Sequence, residues 1–268
     1  FAADEEGLVR SNIFLRTCER VLLKVGEFHA ETFDELFEGI RALPWESFIP
    51  KNGRFWVKKA ASVRSKLFSP SDIQRIVKKA IVERLKPVYG IEWFEEDGCD
   101  LPIRIFICND QVLTAIDSSG ESLHKRGYRA VSNDAPISET LAAALIRLTP
   151  WKEGRILVDP FCGSGTILIE SARKAMKIMP GIDRDFAFES WAQIDPAITE
   201  RERQRARDEE QRDVDFIAYG YDIDDGALDI ARRNADLAGV GDRIVFECRD
   251  IRDYVDPFDR VSVITNPP

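Results

Sequence analysis

Two short motifs contain the residues that are best suited to bind a ligand or to take part in a reaction. Residues 159–165 read Asp-Pro-Phe-Cys-Gly-Ser-Gly, and residues 266–268 read Asn-Pro-Pro. Each motif directly follows a largely apolar run, at 156–158 and at 261–265, and such runs predict buried strands. A carboxylate or an amide at a strand end can hold a cation or an amine, and glycines let the backbone approach a ligand closely. We therefore expect a ligand site where these strands end, as in doubly wound sheets.

The glycine motif is compatible with three ligands. A dinucleotide-binding turn would have a third glycine where Leu168 stands, and a phosphate-binding loop would have a lysine where Thr166 stands. S-adenosylmethionine has no phosphate and carries a cationic sulfonium, so the carboxylate of Asp159 suits it by charge. The motif alone also fits a glycine turn that binds nothing.

The Asn-Pro-Pro motif resembles the signature of S-adenosylmethionine-dependent methyltransferases that modify amino groups, in which an aromatic residue follows. The alternative is a turn without chemistry, because Asn and Pro both favour turns over strands. With the glycine motif upstream, we favour the methyltransferase interpretation. Asn266 and the Pro267 carbonyl would then accept the two N–H bonds of a target amine. The predicted catalytic group is Asn266, Pro267 and Pro268.

Two further predicted strands, 216–221 and 243–248, are also followed by acids, Asp222 and Asp250. In doubly wound sheets an acid after the second strand accepts hydrogen bonds from ribose hydroxyls, which is the role expected for Asp222. Asp250 could accept from an adenine amino group. Helix capping or simple exposure is the alternative for each acid. The predicted cofactor contacts are Asp159, Pro160, Phe161, Cys162, Gly163, Gly165, Thr166, Asp222, Ile223, Asp250, Ile251 and Asn266.

Charge is unevenly distributed along the chain. The net charge is −9, yet residues 51–86 contain eleven Lys and Arg against two acids, so this basic block carries +9 and the remainder −18. A basic block on an acidic protein indicates local contact with nucleic acid. The loop 120–129 adds cations, although a solvated connector is its simpler interpretation. The predicted RNA contacts are Arg54, Lys58, Lys59, Lys66, Lys78, Lys79, Lys125, Arg126 and Arg129.

The cysteines and histidines do not form a metal-binding pattern. Five cysteines are scattered without a C-x-x-C pair, and there are two histidines. We therefore expect no metal, reduced thiols and a cytoplasmic location. Cys162 has no histidine near it in sequence, which predicts a small packing residue and not a nucleophile. No apolar run approaches the ~20 residues that cross a bilayer, so no membrane contact is expected.

The pattern of predicted elements changes along the chain. Strands and helices of α+β type come first, and a regular strand–helix alternation, typical of an α/β sheet, follows. Between them a helix begins at Pro136, with a predicted buried face of Leu141, Ala144, Leu145 and Leu148. The 268 residues suffice for about two domains of ~100–200 residues each, and we place the boundary between residues 130 and 131.

The whole chain resembles bacterial THUMP-domain RNA methyltransferases. It is most similar to the family that methylates the exocyclic N2 of a guanine in 23S ribosomal RNA. The most specific matches are Leu-His-Lys-Arg-Gly-Tyr-Arg at 123–129 and the glycine motif at 159–165. Further matching segments lie at 12–17, 20–23, 65–67, 139–144 and 266–268.

This resemblance implies a ferredoxin-like/THUMP RNA-binding region at 1–130 and a Rossmann-like class I methyltransferase domain with a doubly wound sheet at 131–268. It also implies S-adenosylmethionine as cofactor and 23S ribosomal RNA as partner. A sheet that stopped at its fourth strand would expose an edge, so we expect the natural chain to continue, with an aromatic residue after Pro268. The alternatives are methylation of a tRNA guanine or a DNA adenine amino group, and a non-catalytic RNA-binding module. A nicotinamide oxidoreductase is disfavoured by Leu168.

Overall fold

The computed structural model describes residues 1–129, 136–151, 155–255, 258 and 260–267. The chain divides into two compact units, which are described separately. The first unit consists of Phe1–Leu8, Arg20–Glu121 and Phe186–Pro196. The second consists of Val9–Glu19, Ser122–Asp185 and Ala197–Pro268. The domain boundary placed between residues 130 and 131 lies outside the described residues and stays a prediction.

The first unit is built on a four-stranded sheet. Helix α1 (Glu5–Phe14) begins in this unit, and its remaining elements are β1 (Leu22–His29), α2 (Phe33–Ala42), β2 (Arg54–Val63), α3 (Pro70–Tyr89), β3 (Asp100–Cys108) and β4 (Gln111–Asp117). The strand order is β1-β4-β3-β2, in which β2 and β3 are parallel and the other neighbours antiparallel. The predicted α+β character of the first part of the chain is confirmed.

Helix α3 shows how the sequence sets an element of this unit. Pro70 occupies the first turn, where its missing N–H costs nothing, and the helix ends at Gly90, whose φ of 61° is left-handed. Its buried residues lie on one helical face, at i, i+4, i+7, i+8 and i+12: Ile73, Val77, Ala80, Ile81 and Leu85. Neither α3 nor any other described helix is long and apolar enough to cross a membrane.

The second unit contains a parallel sheet. Its elements are α4 (Glu139–Leu148), β5 (Ile156–Asp159), α5 (Thr166–Ala175), α6 (Pro196–Asp208), β6 (Ala218–Asp222), α7 (Asp225–Leu237), β7 (Ile244–Cys248) and β8 (Val261–Val263). Helix α6 belongs to this unit from Ala197 onward. The strand order is β7-β6-β5-β8, and every neighbouring pair is parallel. The chain adds β6 and β7 on one side of β5 and β8 on the other. The carboxyl ends of β5 and β8 therefore flank the point where the winding reverses, which is where such sheets bind ligands.

The predicted buried face of α4 is wrong. The side chains that the helix buries are Glu139, Thr140, Ala142, Ala143 and Ile146, whereas Leu141 and Leu148 are 53% and 83% exposed. Helix α4 carries two apolar stripes, and periodicity alone does not choose between them. The stripe that contains Ala142 and Ala143 faces inward. Helix α4 packs against α5, and these small side chains permit the close approach.

Candidate active site

A cavity of about 540 Å³ lies at the carboxyl ends of the strands of the second unit. The strand-end side chains that sequence reasoning selected meet there, because parallel strands end at one edge of the sheet. Eleven of the twelve predicted cofactor contacts line it, as does Pro267: Asp159, Pro160, Phe161, Cys162, Gly163, Thr166, Asp222, Ile223, Asp250, Ile251 and Asn266. Their roles in binding stay predictions. The lining residues that were not predicted are Pro136, Ile137, Ser164, Ile167, Arg249 and Arg252.

Gly165 is the predicted cofactor residue that does not line the cavity. It is the N-cap of α5 and has a left-handed φ of 79°. A Cβ added there would come within 3.1 Å of the Ala231 Cβ and 3.2 Å of the Phe246 ring. The second glycine of the motif is therefore required by helix packing and backbone conformation, and its predicted contact with the cofactor stays a prediction.

Gly163 lies on the open side of the same turn. Its φ is 50°, and no heavy atom lies within 4 Å of the position that a Cβ would take. The space that a side chain would fill is thus available to a ligand that approaches the backbone. This is the kind of wall that an adenosyl cofactor could pack against.

Asp159 is a buried carboxylate at the base of the cavity. It is 1% exposed, and its Oδ1 accepts a hydrogen bond from the backbone N–H of Phe161 at 3.1 Å. Burial raises the pKa of Asp159 to about 6, and the nearby charge of Asp222 acts in the same direction. The hydroxyl of Thr265 is close enough to lower this pKa, although the pair lacks the geometry of a formed hydrogen bond.

A cationic ligand would fit this carboxylate. Within the described residues no Lys, Arg or His forms an ion pair with Asp159. A buried negative charge without a counter-charge is costly, and a positive group in the cavity would reduce that cost. The residues present thus fit S-adenosylmethionine, which carries a sulfonium and an α-amino group.

Asp222 has a structural task that sequence reasoning missed. Its Oδ2 accepts a hydrogen bond from the backbone N–H of Gly163 at 2.9 Å, and its Oδ1 accepts from the N–H of Asp224 at 3.0 Å. Each carboxylate oxygen can accept a second hydrogen bond, so a ribose contact stays possible. The signal in the sequence was weak, because Asp222 and Gly163 are far apart along the chain.

Asp250, the predicted acceptor for adenine, already has a partner. The Nε of Arg252 lies 3.0 Å from both of its oxygens, and the Arg252 backbone N–H donates to Oδ1 at 2.9 Å. Hydrogen bonds from the Arg252 side chain and backbone lower the pKa of Asp250 to about 2. An adenine amino group would therefore have to share or displace Arg252. Arg249, also in the cavity wall, lies 5.1 Å from the ring of Tyr221.

Asn266 and Pro267 form the other rim of the cavity. They follow β8. The N–H of Ile264, directly after β8, donates to the carbonyl of Val158 at 3.1 Å, so the chain stays aligned with β5 up to that residue. Both residues are exposed and line the cavity. No described residue forms a hydrogen bond with the Asn266 amide. Pro268, predicted as part of the catalytic group, lies outside the described residues.

Cys162 is a small side chain buried in the cavity wall. The side chain is 7% exposed, and burial raises the pKa of its thiol, with the charges of Asp159 and Asp222 adding to the effect. The thiol is the poorly reactive form of cysteine. Its backbone N–H donates to the Tyr221 carbonyl at 2.9 Å, so the residue packs the turn onto β6.

One group of side chains in the first unit has metal-ligand composition. His29, Glu31 and Asp110 bring their ligand atoms within 4.8 Å of one another. However, the ammonium of Lys66 is paired with Glu31, and its backbone N–H donates to Asp110 at 2.7 Å. Lys66 thus already contacts both of the acids that a metal would need. This group was not predicted from the sequence, because its members come from two distant segments.

The basic block is less cationic in space than in sequence. Acids from outside the block neutralise many of its members: Arg54 with Asp100, Lys66 with Glu31, Lys78 with Glu96, Arg84 with Glu46 and Lys86 with Glu92. The Lys58 ammonium donates to the Gly120 carbonyl at 3.0 Å. Of the predicted RNA contacts in the block, Lys59 and Lys79 are exposed, and no described carboxylate is paired with them.

The loop 122–129 is not a solvated connector. Arg126 is 3% exposed, its Nη1 is paired with Glu170 of α5, and its Nη2 donates to the Arg16 carbonyl. The Tyr128 hydroxyl donates to the other oxygen of Glu170 at 2.9 Å. The prediction that Arg126 contacts RNA is corrected, because its guanidinium lies in the interior of the unit. Lys125 of the same loop is exposed.

Two family models match this chain, one in each half. Residues 126–268 match the family model described as UPF0020: RMKL-like, methyltransferase domain, and residues 30–117 match the THUMP domain model. A Bacillus subtilis (strain 168) relative named "Putative RNA methyltransferase YpsC" is 45% identical over 270 residues, or 100% of this chain and 70% of that protein.

Two solved structures are similar along nearly the whole chain. A protein from Listeria monocytogenes str. 4b F2365, named a "predicted N6-adenine-specific DNA methylase", has a TM-score of 0.93 and 42% identity, with 99% of this chain and 70% of that chain covered. SMU.472, named "a putative methyltransferase complexed with SAH", has a TM-score of 0.92 and 40% identity, with 99% and 71% covered. SAH is S-adenosylhomocysteine, the demethylated product of S-adenosylmethionine.

Proposed function

We propose that this chain, which belongs to the RMKL-like methyltransferase family, methylates the exocyclic N2 of a guanine in 23S ribosomal RNA. The cofactor of this family is S-adenosylmethionine. It supplies an electrophilic methyl group and leaves as a neutral thioether, and the methylated nitrogen releases one proton. The tasks of the chain are then to hold the cofactor, to orient the amine and to exclude water.

The observation that carries the proposal is the amide of Asn266 at the cavity rim, without a partner among the described residues. A guanine amino nitrogen is a weak nucleophile, because its lone pair is delocalised into the ring. Asn266 Oδ1 and the Pro267 carbonyl oxygen would accept hydrogen bonds from its two N–H groups. These bonds would draw the nitrogen toward tetrahedral geometry. The lone pair would then be directed into the cavity, and such orientation supplies much of the acceleration of a transfer between two bound groups.

Asp159 supports the cofactor side of the proposal. Strand β5, which ends at Asp159, is the direct neighbour of β8, which precedes Asn266. The buried carboxylate would stabilise the positive charge of the cofactor, while the open face of Gly163 would admit its adenosyl group. The amine acceptor and the cation acceptor would thus stand at adjacent strand ends.

Two comparisons support RNA as the substrate: the match to the THUMP domain model, and the relative that is named a putative RNA methyltransferase. We assign phosphate contacts to Lys59 and Lys79, because these cations are exposed and no described carboxylate is paired with them. A target base must leave its stack to reach a cavity, which costs least in single-stranded RNA. Such a substrate would place the protein in the cytoplasm.

The proposal is tested by incubating the natural full-length protein with labelled S-adenosylmethionine and undermodified 23S ribosomal RNA. We expect N2-methylguanosine in the digested product. Asn266→Ala should abolish transfer while S-adenosylhomocysteine binding stays within about twofold of wild type. Asn266→Asp keeps acceptor oxygens and should retain part of the activity. Asn52→Ala, an exposed asparagine of the first unit, is the matched control. Wild-type turnover by Asn266→Ala would remove the role assigned to the amide.

A second candidate keeps the chemistry and changes the target. The Listeria structure is named a DNA methylase, and an Asn-Pro-Pro rim could hold an adenine N6 as well as a guanine N2. Parallel reactions with undermodified transfer RNA and with duplex DNA decide between these targets. Label in either substrate, and none in ribosomal RNA, would favour the alternative. RNA binding without label in any substrate would favour a non-catalytic binding module.

A further inference from the structure

Arg129 joins three segments of the second unit behind the cavity wall. Its Nη2 donates to the hydroxyl of Thr166 at 2.8 Å and to the carbonyl oxygen of Ile137 at 3.1 Å. Its Nε lies 3.2 Å from Oε1 of Glu139 as an ion pair. The Arg129 side chain is 17% exposed and that of Glu139 is 4% exposed, so these contacts are largely shielded from water.

Two of the three contacted residues belong to the cavity wall. Thr166 and Ile137 both line the cavity. Thr166 is also the first residue of α5, and Ile137 directly precedes Ser138, the N-cap of α4. One guanidinium therefore connects the beginnings of the two helices that border the cavity. A change in the Arg129 contacts would move wall residues without removing any of them.

The chemistry of arginine suits this task. A guanidinium is planar and presents five N–H donors in a fixed arrangement, so one side chain can hold several acceptors at set distances. Hydrogen bonds from a charged donor are stronger than neutral ones, and partial burial increases their effect. A lysine at this position could keep the charge but not the geometry.

We infer that Arg129 is a positioning residue for the cofactor pocket, acting through Thr166 and Ile137, and not an RNA contact. The inference rests on the proposed function only through its cofactor, since the RNA target does not enter. It replaces the sequence-based assignment of Arg129 to RNA binding. The segment 126–129 then contacts α5 at two places. Arg126 pairs with Glu170 in the middle of the helix, and Arg129 donates a hydrogen bond to Thr166, its first residue.

The first test measures S-adenosylhomocysteine binding by calorimetry, without RNA, for Arg129→Gln and Arg129→Lys. Both variants should raise the dissociation constant about tenfold, since a charge-assisted contact behind the wall is lost in each. Arg147→Gln makes the same chemical change at an exposed position of α4 and should leave binding unchanged. Full rescue by Arg129→Lys would overturn the inference, because charge alone would then suffice.

The second test is a double-mutant cycle with Thr166→Val, which removes the hydroxyl that Arg129 contacts. If Arg129 acts through Thr166, the two losses in S-adenosylhomocysteine affinity should not add in the double variant. Additive losses would overturn the inference. Should Arg129→Gln fail to fold, as shown by its thermal unfolding, Arg129→Lys carries the cycle in its place.

The outcomes separate this inference from the proposed function. Weakened cofactor binding by the Arg129 variants, with no methylation of ribosomal RNA by the wild type, would keep the inference and reject the target. Unchanged cofactor binding by these variants, with weakened RNA binding, would reject the inference and restore the RNA contact. If the wild type methylates ribosomal RNA and the Arg129 variants bind the cofactor as tightly as the wild type does, the inference is rejected and the proposed function is kept.

Discussion

Asp222 accepts a hydrogen bond from the backbone N–H of Gly163 at 2.9 Å, and this contact ties the end of β6 to the glycine turn after β5. The other oxygen of Asp222 accepts from the N–H of Asp224, the N-cap of α7. One carboxylate thus connects the glycine turn, which lines the cavity, with the beginning of α7. If it also binds a ribose, as we propose, the same side chain would build the pocket and recognise its ligand.

Replacement of Asp222 by Ala should therefore affect both folding and binding. Two backbone donors lose their acceptor, which should lower the free energy of unfolding by about 1–3 kcal/mol. The dissociation constant for S-adenosylhomocysteine should rise more than tenfold. Urea unfolding and calorimetry measure the two effects. Asp225→Ala removes a carboxylate with 72% exposure at the start of α7 and serves as the control. Wild-type values for both quantities would contradict the dual role.

Asp159 should make the stability of the ligand-free protein depend on pH. Its pKa is raised from 3.8 to about 6 by burial, so between these values the unfolded chain loses its proton more readily than the folded protein. Stability should therefore fall as pH rises from about 4 to about 6 and stay lower above that window. The loss is at most about 3 kcal/mol.

Asp159→Asn removes the titrating group and tests this sign. The variant should match wild type near pH 4 and be more stable than wild type at pH 7.5, because it carries no buried charge. Unfolding by urea at several pH values gives the comparison. Asp225→Asn, at an exposed site, should show no such trend. A stability difference between Asp159→Asn and wild type that does not change from pH 4 to 7.5 would refute the prediction.

Glu170 should be one of the positions most sensitive to substitution. It pairs with Arg126 and accepts a hydrogen bond from Tyr128, and the Glu170 and Arg126 side chains are both 0% exposed. Glu170→Gln leaves the arginine buried beside a neutral group, which should cost about 3–5 kcal/mol. Glu170→Met and Arg126→Met should each leave one buried charge unpaired, whereas replacing both residues by Met should cost less than the sum of these two single changes, because no unpaired charge remains.

Chemical unfolding of the four proteins of this cycle measures the coupling between Glu170 and Arg126. Glu200→Gln, at a side chain with 72% exposure, is the control and should change stability by less than about 0.5 kcal/mol. A small effect of Glu170→Gln would mean that water or another group compensates Arg126 in solution.

Lys59 and Lys79 should contribute more to RNA binding than the paired cations of the basic block. Neutralising both with Gln should weaken RNA binding and reduce the slope of log K against log salt by about 1.4, or about 0.7 for each cation on single-stranded RNA. The double variant Glu31→Gln with Lys66→Gln removes an ion pair without changing net charge, and we expect little effect. An unchanged salt slope for Lys59→Gln with Lys79→Gln would move the RNA surface elsewhere.

Sequence reasoning located the strand-end motifs because they are local. An apolar run followed by a glycine turn or by Asn-Pro-Pro can be found without knowledge of any distant residue. The meeting of Asp159, Asp222, Asp250 and Asn266 at one cavity also followed, since parallel strands end at the same edge of a sheet. The face of α4 did not follow, because two stripes satisfy the same helical period and only packing against α5 selects one.

From the sequence alone we predicted the two kinds of fold, the positions of the strand-end motifs and the family. Which charged groups are available for binding depends on the tertiary structure. Lys66 meets Glu31 across 35 residues and Arg126 meets Glu170 across 44, so a charge counted along the chain can be neutralised in space. Strands and helices are specified by patterns of neighbouring residues, whereas the solvation and pairing of a side chain depend on what folding brings beside it.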